Sequence, residues 1–180
     1  MKSFQKAAFI TIVIMQIAVL GVMIGNRVCL LDTGVKVLLK CEPVDPRSLI
    51  SGDYVILNYE ISSLAKDIYT GPNLNNLKPN DTVYVALEKL INKKYWVAKS
   101  FSTDYDTLRK SYPVIMRGTI KDTYSTIRIH YGIENYFVPQ NQGLKIEQKM
   151  DDISVEISVS DTGESALSRL FISDREVTFY

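Results

Sequence analysis

The chain has 180 residues, 21 Lys and Arg against 20 Asp and Glu, and a formal net charge of +1. That length holds one domain with its own core plus an appendage. Balanced charge and the lack of any nucleic-acid-binding pattern argue against a nucleic-acid partner. A single histidine, His130, and two cysteines without a Cys-x-x-Cys spacing supply no metal cluster, and no cofactor is expected.

From Ala7 to Gly25 the chain reads AAFITIVIMQIAVLGVMIG, apolar except for Thr11 and Gln16. At ~1.5 Å per helical residue this run nearly spans the ~30 Å hydrocarbon core of a bilayer. A cleaved signal peptide needs a shorter apolar core and a small-residue site, which MIGNRV does not offer. A lipoprotein needs small residues before Cys29, where Asn26, Arg27 and Val28 stand. Residues 7–25 are therefore expected to be an uncleaved transmembrane anchor. Residues 1–28 then form a cytoplasmic stub and anchor, and 29–180 an extracytoplasmic domain. Lys2, Lys6 and the α-amine precede the span at close quarters, which favours a cytoplasmic amino terminus. Gln16 and the Gly21-x-x-x-Gly25 spacing offer contacts to a neighbouring membrane helix, so a membrane-protein partner is expected.

Beyond the span the hydropathy period becomes two. GVKVLLKC places Val35, Val37 and Leu39 on one face of a strand. DPRSLI, with Asp45 as cap and Pro46 at the first helical position, predicts one helical turn. DYVILNYEIS then resumes as a strand, with Val55, Leu57 and Tyr59 of one parity. Residues 63–81, rich in Gly, Pro and Asn, form a connection. TVYVALEKL and KYWVAKSFS predict a hairpin, residues 102–112 a polar loop, and PVIMRGTI with TIRIHY a further strand pair. PQNQGLKIEQKM (139–150) is expected to hold a short helix. DISVEISVS alternates Ile153, Val155, Ile157 and Val159 with Ser154, Glu156, Ser158 and Ser160, which predicts one buried and one wet face. ALSRLFIS and EVTFY return the chain. The fold class is mainly β: a transmembrane helix followed by a compact antiparallel domain, barrel-like or sandwich-like, with one or two short helices.

Residues 52–59, GDYVILNY, and 131–140, YGIENYFVPQ, carry a resemblance. The first matches the motif that names the GDYXXLXY family, and the second is similar to that family's YGIExYFVPE. PVDPRSL before the first motif and MRG at 116–118 are similar too. The resemblance runs from about Thr33 to Phe171. It implies a small β-rich domain beside a prokaryotic membrane, associated with multi-pass proteins and without an assigned biochemical activity. The motif residues are Gly52, Asp53, Tyr54, Leu57 and Tyr59, with Tyr131, Gly132, Ile133, Glu134, Tyr136, Phe137, Val138 and Pro139. Gln140 stands where the family usually has an acid.

Each motif reads first as architecture. Gly52 suits a turn, Asp53 can accept backbone N–H groups across it, and Leu57 and Tyr59 fill a core. Glu134 is expected to accept backbone hydrogen bonds or to join a polar network with Arg117, Arg128 and Asp53. A hydrolase is the competing reading, dependent on Asp53, Glu134 or Ser48. LISGDYV (49–55) resembles the LxxGDxV segment of signal peptidases, but Val44 occupies the position of the nucleophile. Lys99 is the one candidate for a Ser–Lys pair. A third reading, a sugar- or peptide-binding module, needs exposed tyrosines among Tyr54, Tyr131 and Tyr136. Cys29 and Cys41 are read as free thiols, with pairing left open.

Overall fold

A computed structural model of the chain describes residues 3–42, 54–91, 93–137 and 153–178. Gly52, Asp53, Ser48, Val44, Val138, Pro139, Gln140, the DPRSLI turn and the helix expected over 139–150 lie outside the described residues.

Helix α1 spans Ser3–Thr33. It contains the expected apolar run and continues eight residues past Gly25, because nothing from Asn26 to Thr33 breaks it. The Gly34 N–H donates to the Leu30 carbonyl at 3.0 Å, closing the last turn, and β1 (Val35–Glu42) begins at the next residue. Ala8–Thr33 is long and apolar enough to cross a membrane, and its side chains are exposed along most of that length. Space around Gly21 and Gly25 is open.

The remaining strands follow in order: β2 (Tyr54–Ile56), β3 (Asn58–Tyr59), β4 (Ser63–Leu64), β5 (Thr82–Lys89) and β6 (Trp96–Ser102). After α2 (Tyr105–Arg109) come β7 (Val114–Asp122), β8 (Ile127–His130) and β9 (Asn135–Phe137). The last are β10 (Ile153–Val159), β11 (Ser165–Ile172) and β12 (Arg175–Glu176). They build two five-stranded sheets, β12-β11-β10-β1-β3 and β4-β8-β7-β5-β6, with β2 and β9 pairing separately. All of these pairings are antiparallel. Among the described residues the sheets do not close into a barrel. The architecture is sandwich-like, with one apolar cluster drawing Val37, Leu39, Val155 and Ile157 from the first sheet and Val83, Val85, Met116 and Ile127 from the second.

Two expectations need correction. The polar stretch 102–112 contains a helix. Asp104 caps it, accepting from the Asp106 N–H at 3.1 Å and the Thr107 hydroxyl at 2.6 Å, and Leu108 packs with Ala86 and Ile115 on the outer side of the second sheet. Five residues with one aliphatic side chain are too few for a helical period to show. The second correction concerns β10, whose serine face is not wet: Ser154 is 2% exposed and Ser158 is fully buried. The foot of α1 lies over Ser158. The Lys36 amine donates to Ser158 Oγ at 2.6 Å and to the Leu31 carbonyl, and Ser158 Oγ donates to the same carbonyl at 3.3 Å. Alternation reports side-chain polarity, and a serine is small enough to sit under another element once its hydroxyl is satisfied.

Candidate functional site

The first motif is not one continuous strand. Tyr54–Ile56 pairs with Phe137–Asn135 of the second motif, Asn58–Tyr59 pairs with Glu42–Cys41 of β1, and Ser63–Leu64 pairs with Arg128–Ile127 of β8. Within eleven residues the chain thus stitches the small sheet to both large ones. The expected parity survives the breaks, since Val55, Leu57 and Tyr59 are all buried. Burying each apolar side chain contributes about 1.5–3 kcal/mol.

Two hydrogen bonds lock the motifs together, and a third ties the second motif to Ile61, two residues beyond the first. The Leu57 N–H donates to the Glu134 carbonyl at 2.7 Å. The Tyr59 hydroxyl donates to the Ile133 carbonyl at 2.6 Å, and the Tyr131 hydroxyl to the Ile61 carbonyl at 2.7 Å. Gly118, the last residue of MRG, makes room for this arrangement. A Cβ there would stand 2.3 Å from Ile129 Cγ2 and 3.0 Å from the Tyr131 ring.

Residues 131–134 form a tight turn around the Glu134 carboxylate. It accepts the Tyr131 N–H at 2.5 Å and the Gly132 N–H at 2.8 Å, and pairs with His130 Nε2 at 3.1 Å. Gly132 holds a φ of +81°, which aims both N–H groups inward and which a side chain would oppose. The two arginines proposed as partners for Glu134 bind other acids: Arg117 pairs with Glu164 at 3.6 Å and Arg128 with Asp122 at 3.3 Å. Sequence reasoning did not single out His130 as the side-chain partner of Glu134. The i, i+4 spacing was visible, but in an extended-then-turned segment it carries no contact information.

Other candidates are dispersed. Lys99 sits on the edge strand β6 and pairs with Glu88 at 3.5 Å. Cys29 is exposed on α1 and Cys41 is buried in β1; both are free thiols. Tyr131 and Tyr59 are buried, Tyr136 is half-buried and Phe137 is exposed, so the second motif presents no row of exposed tyrosines among the described residues.

Beside the motif junction lies a cleft of about 530 Å³. Ile56, Leu57, Asn58, Glu134 and Asn135 of the two motifs form part of its lining. Lys121, Arg128 and His130 from β7 and β8 face the same space, and so does Ser62. Arg128 and Glu134 thus share a cleft without pairing to each other.

A model of the GDYXXLXY protein family matches residues 16–170. The chain belongs to the GDYXXLXY family. The match covers both motifs and also enters α1, starting inside its apolar run. No curated protein and no solved structure matches the chain.

The buried phenols and thiol make stability depend on alkaline pH. Burial, helped by Glu60, pushes the Cys41 thiol from an ordinary 9.0 to about 12. Burial first, then the Cys41 and Glu134 charges, holds Tyr59 well above 10.0; burial and Glu134 do the same for Tyr131. Folded-state values above the unfolded ones mean that the full contribution is present below the unfolded values and declines as pH rises beyond them. The melting temperature is therefore expected to fall above about pH 9. Cys41→Val should move the onset of that fall towards pH 10, and a melting series of both proteins from pH 7 to 11 checks it. An unchanged onset in the variant would remove Cys41 from the account.

Proposed function

We propose that this family member is a single-span membrane protein whose β domain is exported and serves as a non-enzymatic binding or assembly module of a membrane complex. The observation that carries the reading is the exposed apolar helix Ala8–Thr33, long enough to cross a membrane and continuous with the domain at β1. Leu30 is buried against the domain, Arg27 Nη1 donates to the Ser165 carbonyl at 2.9 Å, and Lys36 ties Leu31 to Ser158. These contacts tie the foot of the helix, residues 27–33, to the domain, and a family match that begins at residue 16, inside the apolar run, supports retention of that run in the protein. Lys2 and Lys6 favour a cytoplasmic amino terminus. Among the described motif residues, the Tyr59 and Tyr131 hydroxyls and the Glu134 carboxylate all hold backbone. That supports architecture over catalysis for these residues.

The test is made on the full chain in native membranes. The protein is expected to resist alkaline extraction, to keep its amino-terminal peptide, and to expose the β domain to protease only from the outer side. After mild solubilisation it should co-purify with a multi-pass membrane protein. Recovery of a soluble chain beginning near residue 26, or purification with no membrane protein attached, would sink the reading.

A further inference from the structure

The cleft beside the motifs carries a polar group that the fold leaves unsatisfied. Ser62 is 6% exposed, lines the cleft, and its Oγ has no hydrogen-bond partner among the described residues. A buried hydroxyl without a partner costs stability and calls for a reason. The lining carries two cations, Lys121 and Arg128, and one acid, Glu134. Lys121 is exposed and forms no ion pair among the described residues, and Arg128 engages Asp122 through Nε. Glu134, the acid of the lining, turns its carboxylate to the Tyr131 and Gly132 N–H groups, with His130 Nε2 at 3.1 Å. Asn135 adds an amide group beside the apolar Ile56 and Leu57, while the Asn58 amide donates to Glu42 at 3.4 Å, a mixture suited to a peptide rather than to a bare ion.

Position narrows the source. β1 leaves α1 at Val35, and its far end, Glu42, pairs with Asn58 of the cleft. By strand rise the cleft lies roughly 20–25 Å along β1 from the anchor. At that distance from the anchor the cleft can be reached by a ligand from solution or by a partner's extramembrane segment.

We propose that this cleft binds a peptide carboxylate, with Lys121 and Arg128 holding the anion and Ser62 Oγ hydrogen-bonding to the ligand. The assignment rests on the binding-module reading and gives that module its ligand chemistry.

Titrations on the full chain in detergent micelles test it with three probes: acetyl-trialanine with a free carboxylate, its carboxamide, and acetyl-Ala-Asp-Ala-amide. A carboxylate probe is expected to bind at least about tenfold more tightly than the carboxamide, as loss of a charge-assisted hydrogen bond requires. Preference for the first carboxylate identifies a chain end, and preference for the aspartyl peptide identifies an acidic side chain. Lys121→Gln should weaken binding about tenfold without changing the melting temperature. Ser62→Ala should weaken binding while leaving the melting temperature equal or higher, a combination that a purely structural serine would not give. Equal binding of acid and carboxamide, equal competition by inorganic phosphate, or indifference to Lys121→Gln would overturn the assignment. Because the titration needs no partner protein, its failure leaves co-purification with a membrane protein as a separate result.

Discussion

Tyr59→Ala is expected to destabilise the domain by about 3–5 kcal/mol, the range for removing a buried aromatic side chain. Tyr59 is fully buried and belongs to the shared apolar cluster. Its backbone pairs with Cys41 in the first sheet, and its hydroxyl reaches Ile133 in the second motif. Truncation leaves a cavity where three sheets meet and orphans a buried carbonyl. Tyr59→Phe keeps the ring and loses the bond alone, so about 1–2 kcal/mol is expected. Urea unfolding in micelles, followed by Trp96, the one tryptophan of the chain, measures both. A loss below about 1 kcal/mol for the alanine variant would contradict a supporting role for the motif.

Glu134→Ala carries the second large effect. The carboxylate is 12% exposed and closes the turn of the second motif through the Tyr131 and Gly132 N–H groups. Hydrogen bonds to a charged acceptor contribute about 1.5–3 kcal/mol each, so about 3 kcal/mol is expected for the pair. Glu134→Gln keeps one oxygen as acceptor and should lose about half as much. The same variants separate architecture from chemistry. An alanine variant as stable as the parent that no longer assembles with its membrane partner would make Glu134 a site residue rather than a turn residue. Loss of stability that the glutamine variant partly restores would place it in the fold.

The junction of the motifs clarifies why a family would be recognisable by GDYXXLXY at all. Leu57 and Tyr59 are spaced by two, so both face the core even though the strand pairing changes between them. The second motif supplies the acceptors for both, the Glu134 and Ile133 carbonyls. Each motif is thus half of a joint, and the cleft opens where the joint meets β8.

Sequence by itself determined the apolar helix, the β class, the hairpin of β5 and β6, the buried parity of Val55, Leu57 and Tyr59, and the family. These are local properties: length of an apolar run, period-two alternation, and residue identities at fixed spacing. Tertiary structure decided the rest. Whether the domain is a barrel or two sheets depends on long-range strand order, which alternation does not encode. Ser158 was read as wet because nothing local signals that Lys36 and the end of α1 would cover it. Arg117 and Arg128 were matched to Glu134 by charge, yet Glu164 and Asp122 lie nearer to them in the fold, and His130 took the place beside Glu134. Ser62 gave no signal at all, since an unpartnered hydroxyl is defined by what surrounds it, and only folding supplies the surroundings.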